Sequence, residues 1–217
     1  MIYLDNDYMV GTHPDVLRQL NETNELHTVG YGYDQFCVEA RNIILNECGI
    51  EHGEVYFMEG GTQTNAVVIN RLLDYGAGVL STDIAHINVH EAGAIEATGH
   101  KVLTLHNHDG KISASNIQEF ITLFYQDKTY PHMVAPGMVY ISFPTELGTV
   151  YTRKELEDIY TVCKKWHIPL YIDGARMAYG LAAETTDLTL SDIASLCDVF
   201  YIGGTKCGAL FGEAVVT

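Results

Sequence analysis

Short apolar runs alternate with longer amphipathic segments along the chain. The runs are rich in β-branched and aromatic residues and are bounded by glycine or polar residues, which predicts buried strands. These strands are expected at 54–58, 79–81, 101–105, 139–142, 170–172 and 199–202, with a further one near 214–216. Because strands and helices alternate, we predict an α/β fold, with three α/β/α layers around a mostly parallel sheet.

The amphipathic segments predict helices between these strands. Apolar residues at helical spacing, or a helix-starting residue, mark the segments 14–20, 35–48, 66–73, 115–127 and 155–166. The expected apolar positions of segment 35–48 are Phe36, Val38, Ile43, Ile44 and Leu45. Ser115 is the predicted N-cap of its helix, and 129–136 is predicted to be a loop.

Composition and charge narrow the classes of function. The 217 residues, 47% of them hydrophobic, suffice for one large domain or two small ones. A formal net charge of -16 argues against a nucleic-acid partner, which needs a basic face. An anionic cofactor remains compatible with this charge, because a helix N-terminus holds a phosphate locally.

The cysteines and the first residues of the chain indicate the cellular compartment in which the protein is expected. Five cysteines without a C-x-x-C spacing predict reduced thiols in a cytoplasmic protein. Residues 1–5 lack the basic region of a signal peptide, and no stretch is long and apolar enough for a bilayer. We therefore predict neither a leader nor a membrane partner.

Two predicted strands deliver charged residues at their carboxyl ends. Asp173 and Arg176 follow one strand, and Lys206 follows the other after a glycine pair. In an open α/β sheet these ends share one crevice. Pyridoxal 5'-phosphate (PLP) needs a lysine for its aldehyde and an acid for its ring nitrogen. Each residue alone is more commonly a cap or a solvated loop residue, but the flanking glycines favour function.

A glycine turn precedes the helix predicted at 66–73. Free N–H groups and the helix dipole attract an anion there, so Gly61 and Thr62 are candidates to bind a phosphate. The turn lacks the Gly-Lys-Ser/Thr ending of a nucleotide-binding P-loop. The alternative is ordinary helix capping.

The segment Ile172-Asp173-Gly174-Ala175-Arg176, followed by a strand that ends in Lys206, resembles one family of PLP enzymes. This is the low-specificity threonine aldolase and aromatic amino acid β-eliminating lyase family, of the aspartate-aminotransferase fold. The resemblance implies that Asp173 pairs with the ring nitrogen and that Lys206 holds the aldehyde. It places Arg176 near a cofactor oxygen or the substrate carboxylate.

The resemblance also assigns roles to residues outside these two strands. Gly61 and Thr62 match the phosphate-binding pair, and His86 matches the histidine that stacks on the ring and transfers protons. His86 and His90 lie four residues apart, and a pair of metal ligands on one helix face is the alternative for them. Without a His-Glu-x-x-His pattern or a third ligand, no metal is predicted. Surface or capping histidines are the remaining alternative.

Three further residues are candidates to contact the substrate. Asn6 lies where the family tends to carry Ser-Asp-Thr, and Tyr31 lies in a Tyr-Gly-x-Asp segment that reaches a neighbouring subunit in the family. A tyrosine-rich turn is the alternative for Tyr31. Glu146 lies where many threonine aldolases carry Asn-Thr-His, and is either a general base, a ligand of the substrate hydroxyl or a loop carboxylate.

The resemblance implies a PLP-dependent aldehyde-lyase. Lys206, His86 and Asp173 would act in the retro-aldol cleavage of an L-threonine-like β-hydroxy-α-amino acid to glycine and an aldehyde. The alternatives are β-elimination or transamination with the same cofactor, or an inactive truncated PLP-binding domain. The family's usual oligomers imply a homodimer or homotetramer.

We expect residues 1–217 to form one PLP-binding large domain, with an N-terminal arm over about 1–30. The family's smaller C-terminal domain, which closes over the substrate, is expected to be absent after Thr217. On this expectation, cofactor binding survives and catalysis is impaired.

Overall fold

The computed structural model of the chain describes residues 5–217. Residues 1–4, the start of the predicted arm and most of the segment in which no leader is predicted, lie outside the described residues. The described strands are β1 (Val55–Met58), β2 (Ala77–Thr82), β3 (Lys101–Leu105), β4 (Ala135–Ser142), β5 (Leu170–Asp173), β6 (Val199–Gly203) and β7 (Glu213–Val216). The described α-helices are α1 (Pro14–Thr23), α2 (Gln35–Cys48), α3 (Gly61–Leu72), α4 (His86–Val89), α5 (Ala114–Gln126), α6 (Arg153–Trp166), α7 (Met177–Leu181) and α8 (Leu190–Ser195).

The seven described strands form one sheet in the order β1-β7-β6-β5-β4-β2-β3. β7 is antiparallel to both of its neighbours, and the pairs from β6 through β5, β4 and β2 to β3 are all parallel. The strands that carry the predicted acid and lysine, β5 and β6, are adjacent at the centre. The predicted mostly parallel sheet is confirmed.

Each face of the sheet is buried under helices. On one face, Ile141, Ile172 and Phe200 pack with residues of α5, α6 and α8. On the other face, Tyr140 and Tyr171 pack with residues of α3 and with the short α4. Alternate residues of each strand thus enter opposite cores, as the two-residue period of a strand requires. The result is the predicted three-layer arrangement.

Several boundaries differ from those predicted. α3 begins at Gly61 rather than at 66, because its polar first turn carries no apolar pattern that would reveal it. Ser113, not Ser115, caps α5, and its hydroxyl accepts the N–H of Asn116 at 3.2 Å. The predicted loop 129–136 contains a turn of 3-10 helix, and its end forms the start of β4.

The prediction for the apolar face of α2 was partly wrong. Phe36, Val38 and Ile43 are 41%, 46% and 54% exposed, whereas Ile44 and Leu45 pack on the core. The preceding α1 has no buried residue and does not cover this surface. The N-terminal third of the described chain therefore presents apolar side chains that the domain itself leaves uncovered. None of the helices within residues 5–217 is long and apolar enough to cross a membrane.

Gly174 joins the ends of β5 and β6 at a contact that admits no side chain. A Cβ at this position would lie 1.9 Å from the carbonyl oxygen of Tyr201 and 2.7 Å from the Met177 side chain. The Gly174 carbonyl also accepts the N–H of Gly203 at 2.8 Å. Glycine here brings the loop after the acid against the strand that leads to the lysine.

Replacing Gly174 by alanine should therefore destabilise the fold. We expect the free energy of unfolding of Gly174→Ala to be about 3 kcal/mol lower than that of the wild type. This is the upper end of the usual cost of overpacking, because the added Cβ clashes with backbone, which cannot rotate away. Urea unfolding measures this loss. Gly11→Ala, where a Cβ meets nothing within 4 Å, is the control and should change by less than about 0.5 kcal/mol. Equal midpoints for the two variants would contradict the packing argument.

Candidate active site

The carboxylate of Asp173, at the end of β5, is buried and surrounded by donors. Its Oδ1 accepts the hydroxyl of Tyr201 at 2.6 Å and the N–H of Ala175 at 2.9 Å. Its Oδ2 accepts the hydroxyl of Tyr140 at 2.6 Å and an N–H of Asn65 at 3.0 Å. The side chain is thereby fixed in one orientation at the floor of the crevice.

Three tyrosines lie on the same face of the sheet as Asp173, and two of them, Tyr140 and Tyr201, donate to its carboxylate. Tyr140, Tyr171 and Tyr201 lie on adjacent strands and share the face that α3 covers. Burial, followed by the nearby Asp173 charge, raises the pKa of each of these phenols well above its usual value. The hydroxyls therefore remain protonated at neutral pH and serve as donors.

Asn65, in α3, connects this acid to a second buried carboxylate. One amide N–H goes to Asp173, and the same nitrogen donates to Oε1 of Glu91 at 2.7 Å. The Asn65 carbonyl accepts the hydroxyl of Tyr171 at 2.8 Å. Asn65 is 1% exposed, so one amide of fixed orientation lies between two acids.

Glu91 in turn contacts His86. Its Oε1 lies 2.8 Å from Nδ1 of His86, and its side chain is fully buried. Its other oxygen, Oε2, has no hydrogen-bond partner within the described part of the chain. The His86 ring is 36% exposed and lines the cavity, so it presents its other edge outward.

The loop after β4 holds the start of α4. Oε1 of Glu146 accepts the backbone N–H of His86 at 3.0 Å and the hydroxyl of Ser142 at 2.6 Å. Ser142 lies opposite Asp173 in the register of β4 and β5. Glu146 is thus fixed beside His86 through one oxygen, and within residues 5–217 its other oxygen has no hydrogen-bond partner.

The start of α3 presents backbone donors to the same space. Gly60 is extended, and no side chain caps the helix. Within residues 5–217 the N–H groups of Gly61, Thr62 and Gln63 have no acceptor, and Gly61 and Thr62 line the cavity. Free N–H groups at the positive end of a 12-residue helix make an anion site.

Lys206 lies in a loop that Glu213 closes. The Glu213 carboxylate accepts the N–H of Gly204 at 3.0 Å and the hydroxyl of Thr205 at 2.8 Å. Burial raises the pKa of Glu213, while these two bonds oppose the shift. Lys206 is half-buried and has no ion-pair partner among residues 5–217. Lys206 is one of the residues that line the cavity.

Arg176 is held by the N-terminal segment. Its guanidinium donates to both carboxylate oxygens of Asp7, from Nε and from Nη2. Thr12 and His13 of the same segment donate to the carbonyl of Gly208, next to the lysine loop. These contacts bring the arm to the mouth of the crevice.

These elements enclose one cavity of about 290 Å³. The predicted site residues that line it are Gly61, Thr62, His86, Glu146, Asp173, Arg176 and Lys206. Asn6 and Tyr31 lie outside its wall: Asn6 accepts the N–H of Tyr8, and Tyr31 is 99% exposed. The fold therefore brings together residues that are spread over most of the sequence.

Sequence reasoning missed the residues that surround these groups. They are Asn65, Glu91, Tyr140, Ser142, Tyr201 and Glu213. Strand parity places Tyr171 on the face of Asp173, two residues later, but Tyr140 and Tyr201 lie on other strands and are assigned to this face only once the register is known. No comparable signal marks Glu91 or Asn65, because each acts through contacts distant in sequence.

The histidine pair does not form part of a larger ligand cluster. The rings of His86 and His90 are tilted with centroids 5.6 Å apart. Within residues 5–217, no group of three or more His, Cys, Asp and Glu side chains is placed to hold a metal ion.

The donor set fits PLP group by group. The start of α3 offers N–H groups to a phosphate, and the buried Asp173 offers a carboxylate to a protonated ring nitrogen. Lys206 supplies an amine for an aldehyde, and His86 a ring for stacking.

Comparisons with known proteins agree with this arrangement. The chain is 33% identical, over 97% of its length, to the low specificity L-threonine aldolases of Pseudomonas sp. (strain NCIMB 10558) and Pseudomonas aeruginosa. A solved structure of a threonine aldolase from Leishmania major matches with a TM-score of 0.93 and 44% identity, over 97% of this chain. The α/β fold of the PLP-dependent transferase type is thereby confirmed.

Residues 12–216 match the family model of the beta-eliminating lyases. The chain belongs to this family, and the predicted resemblance is confirmed. It spans 60% of the length of the two Pseudomonas relatives and of the Leishmania chain.

The Asp7–Arg176 pair predicts a pH-dependent stability. The hydrogen bond from Arg176 is the main cause that lowers the pKa of Asp7 below 3.8. A carboxyl group whose pKa is lower in the folded than in the unfolded state stabilises the fold at pH values above its unfolded-state pKa. This contribution is lost as the pH falls through the folded-state pKa. Both side chains are more than a third exposed, at 36% and 40%, so we expect about 1 kcal/mol or less.

The free energies of unfolding of the wild type and Asp7→Asn, measured between pH 6 and pH 2, check this prediction. The difference should be largest at pH 6 and should shrink towards pH 2. Asp5→Asn, an exposed neighbour, is the control. A difference for Asp7→Asn that stays constant with pH would contradict the assigned pair.

Proposed function

We propose that this protein is a PLP-dependent aldehyde-lyase that cleaves an L-threonine-like β-hydroxy-α-amino acid to glycine and an aldehyde. The observation that carries the proposal is the cavity in which Lys206, Asp173, His86 and the start of α3 meet. The family and the Pseudomonas relatives, which are L-threonine aldolases, support the reaction.

PLP supplies an electron sink that stabilises negative charge at the substrate α-carbon when bound. The chain's own residues would hold it in four places. Gly61 and Thr62 would bind the phosphate through backbone N–H groups, and Asp173 would accept a hydrogen bond from the protonated ring nitrogen. Lys206 would supply the amine for the aldehyde, and His86 would provide a ring to stack on the cofactor.

His86 is also the proposed base for the reaction. Its ring lines the cavity and takes the proton of the substrate β-hydroxyl, either directly or through a positioned water. General-base catalysis of this kind contributes about 10²- to 10⁴-fold. We assign the catalytic roles to Lys206, His86 and Asp173.

Glu146 and Arg176 are the proposed substrate ligands in the cavity wall. As the substrate binds, the second oxygen of Glu146 accepts the hydrogen bond of the β-hydroxyl, because the first is bound by Ser142 and the His86 backbone. The single hydroxyl proton then turns from Glu146 to His86 for the transfer. Arg176 releases Asp7 and binds the substrate carboxylate in its place. Asn6 and Tyr31 remain proposals from the family resemblance, Tyr31 towards a neighbouring subunit.

We propose that residues 1–217 act as the PLP-binding large domain of a cytoplasmic homodimer or homotetramer. The exposed apolar residues of α1 and α2 support self-association, since this surface lacks cover within the domain. The five cysteines, all unpaired, are consistent with a reducing compartment.

Trapping with borohydride tests the cofactor and its lysine. After incubation with PLP and reduction, the wild-type protein should gain the mass of one reduced cofactor at Lys206, and Lys206→Ala should gain none there. Lys101→Ala, which removes an exposed lysine of β3, is the control and should behave as the wild type. Failure of the folded wild-type protein to gain this mass would overturn the proposed cofactor site.

Product analysis tests the reaction. Incubation of the PLP-loaded protein with L-threonine should release glycine and acetaldehyde in equal amounts, and His86→Gln should lower kcat by about 10²-fold or more. His90→Gln, the exposed neighbouring ring, should change kcat little. Release of ammonia and a keto acid instead would favour elimination, and transfer of the amino group would favour transamination.

Sedimentation tests the proposed self-association. We expect the wild type to sediment at twice the mass of the chain or more. Leu17→Glu or Leu20→Glu, on the exposed apolar side of α1, should weaken the dimer at least tenfold. Asn21→Glu adds the same charge on the same helix as a control. A monomeric wild type at high concentration would contradict the proposal.

A further inference from the structure

We infer that Glu91 is a positioning residue that fixes the His86 ring with its proton on Nδ1, so that Nε2 faces the cavity as the proton acceptor. Glu91 acts through His86 and does not contact the substrate. The inference deepens the proposed function and rests on it for its catalytic meaning. Its structural content, the protonated nitrogen of His86, can be tested without the cofactor.

The geometry around Oε1 of Glu91 carries the inference. Oε1 accepts an N–H of Asn65 at 2.7 Å and lies 2.8 Å from Nδ1 of His86. A carboxylate oxygen accepts two such bonds readily, so the simplest arrangement is two donors that converge on it. Nδ1 then bears the hydrogen, and in the neutral ring Nε2 carries the lone pair.

The orientation of the Asn65 amide determines that Oε1 of Glu91 acts as a hydrogen-bond acceptor. Its carbonyl accepts the hydroxyl of Tyr171, a group whose pKa is raised by burial, so its NH₂ group must face the two carboxylates. An N–H from Asn65 therefore points at Oε1 of Glu91, and that atom must be an acceptor. Asn65 thus selects which atom of residue 91 can contact the ring.

The surroundings of His86 provide no competing partner for Nδ1. Glu146 contacts its backbone N–H rather than the ring, and His90 lies beside it with a ring-centroid distance of 5.6 Å. Within residues 5–217, Nε2 has no hydrogen-bond partner. The ring is therefore fixed from the Glu91 side and open towards the cavity.

One alternative proton arrangement gives the opposite result. A neutral Glu91 could donate a proton from Oε1 to Nδ1, in which case Nε2 would bear the hydrogen. The ring would then present a donor to the cavity and could not take a proton from the substrate. The two arrangements differ at a single observable, the nitrogen of His86 that carries the hydrogen.

Nitrogen-15 NMR of the cofactor-free protein decides between them. Two-bond correlations identify the protonated nitrogen of each histidine ring, and loss of one set in His86→Gln assigns the signals. The measurement is made at a pH where titration of the same signals shows the ring to be neutral. We expect the wild type to show Nδ1 protonated and Nε2 bare.

The variants at Glu91 separate positioning from mere packing. In Glu91→Gln, Asn65 should orient the amide oxygen towards Nδ1, so the Nδ1–H form should persist although the other amide end is buried without a partner. In Glu91→Ala the preference should shift towards Nε2–H. Glu96→Ala, an exposed residue of the same segment, is the control and should leave the His86 signals unchanged.

The NMR results test the role of Glu91 separately from the proposed PLP-dependent function. A wild-type ring with Nε2 protonated, or an unchanged Nδ1–H form in folded Glu91→Ala, would overturn the inference whether or not PLP binds. If PLP binds and L-threonine is cleaved, Glu91→Ala should also lower kcat by about 10²-fold with little change in KM. Should Glu91→Ala fail to fold, the wild-type and Glu91→Gln spectra still decide.

Discussion

The buried carboxylate of Asp173 is the constraint on which the rest of the crevice depends. A charge in an apolar interior is stable only with donors around it, and four groups from four parts of the chain provide them. Meeting this requirement brings β4, β6 and α3 to fixed positions around β5. The elements that would bind the phosphate and the aldehyde are thus held by the same contacts that satisfy the acid.

The network extends from Asp173 through Asn65 to Glu91 and His86. Each link is a hydrogen bond between groups whose orientation a further contact fixes, so the chain of contacts permits little variation. It connects the floor of the cavity to the ring that lines its wall. Arg176 differs, because its half-exposed guanidinium is bound by Asp7 of the N-terminal segment and lies outside this network.

The sequence allowed the centre of the site to be predicted but not its surroundings. Asp173 and Lys206 follow strand-like runs beside glycines, and the ends of parallel strands meet, so their proximity was predictable. Tyr140 and Tyr201 read as ordinary core residues until strand register is known. The α2 surface was mispredicted because periodicity identifies an apolar face without showing what covers it. The polar start of α3 gave no periodic signal at all.

The position of β7 has a consequence for the order of folding. β1 leads directly into α3, yet among the strands described within residues 5–217 its only neighbour is β7, with Val55 paired to Val216. Contacts this distant in sequence form late, because a long segment must be ordered before they close. During synthesis β1 therefore emerges early and remains an unpaired edge strand, so the turn between β1 and α3 lacks this support until β7 has left the ribosome.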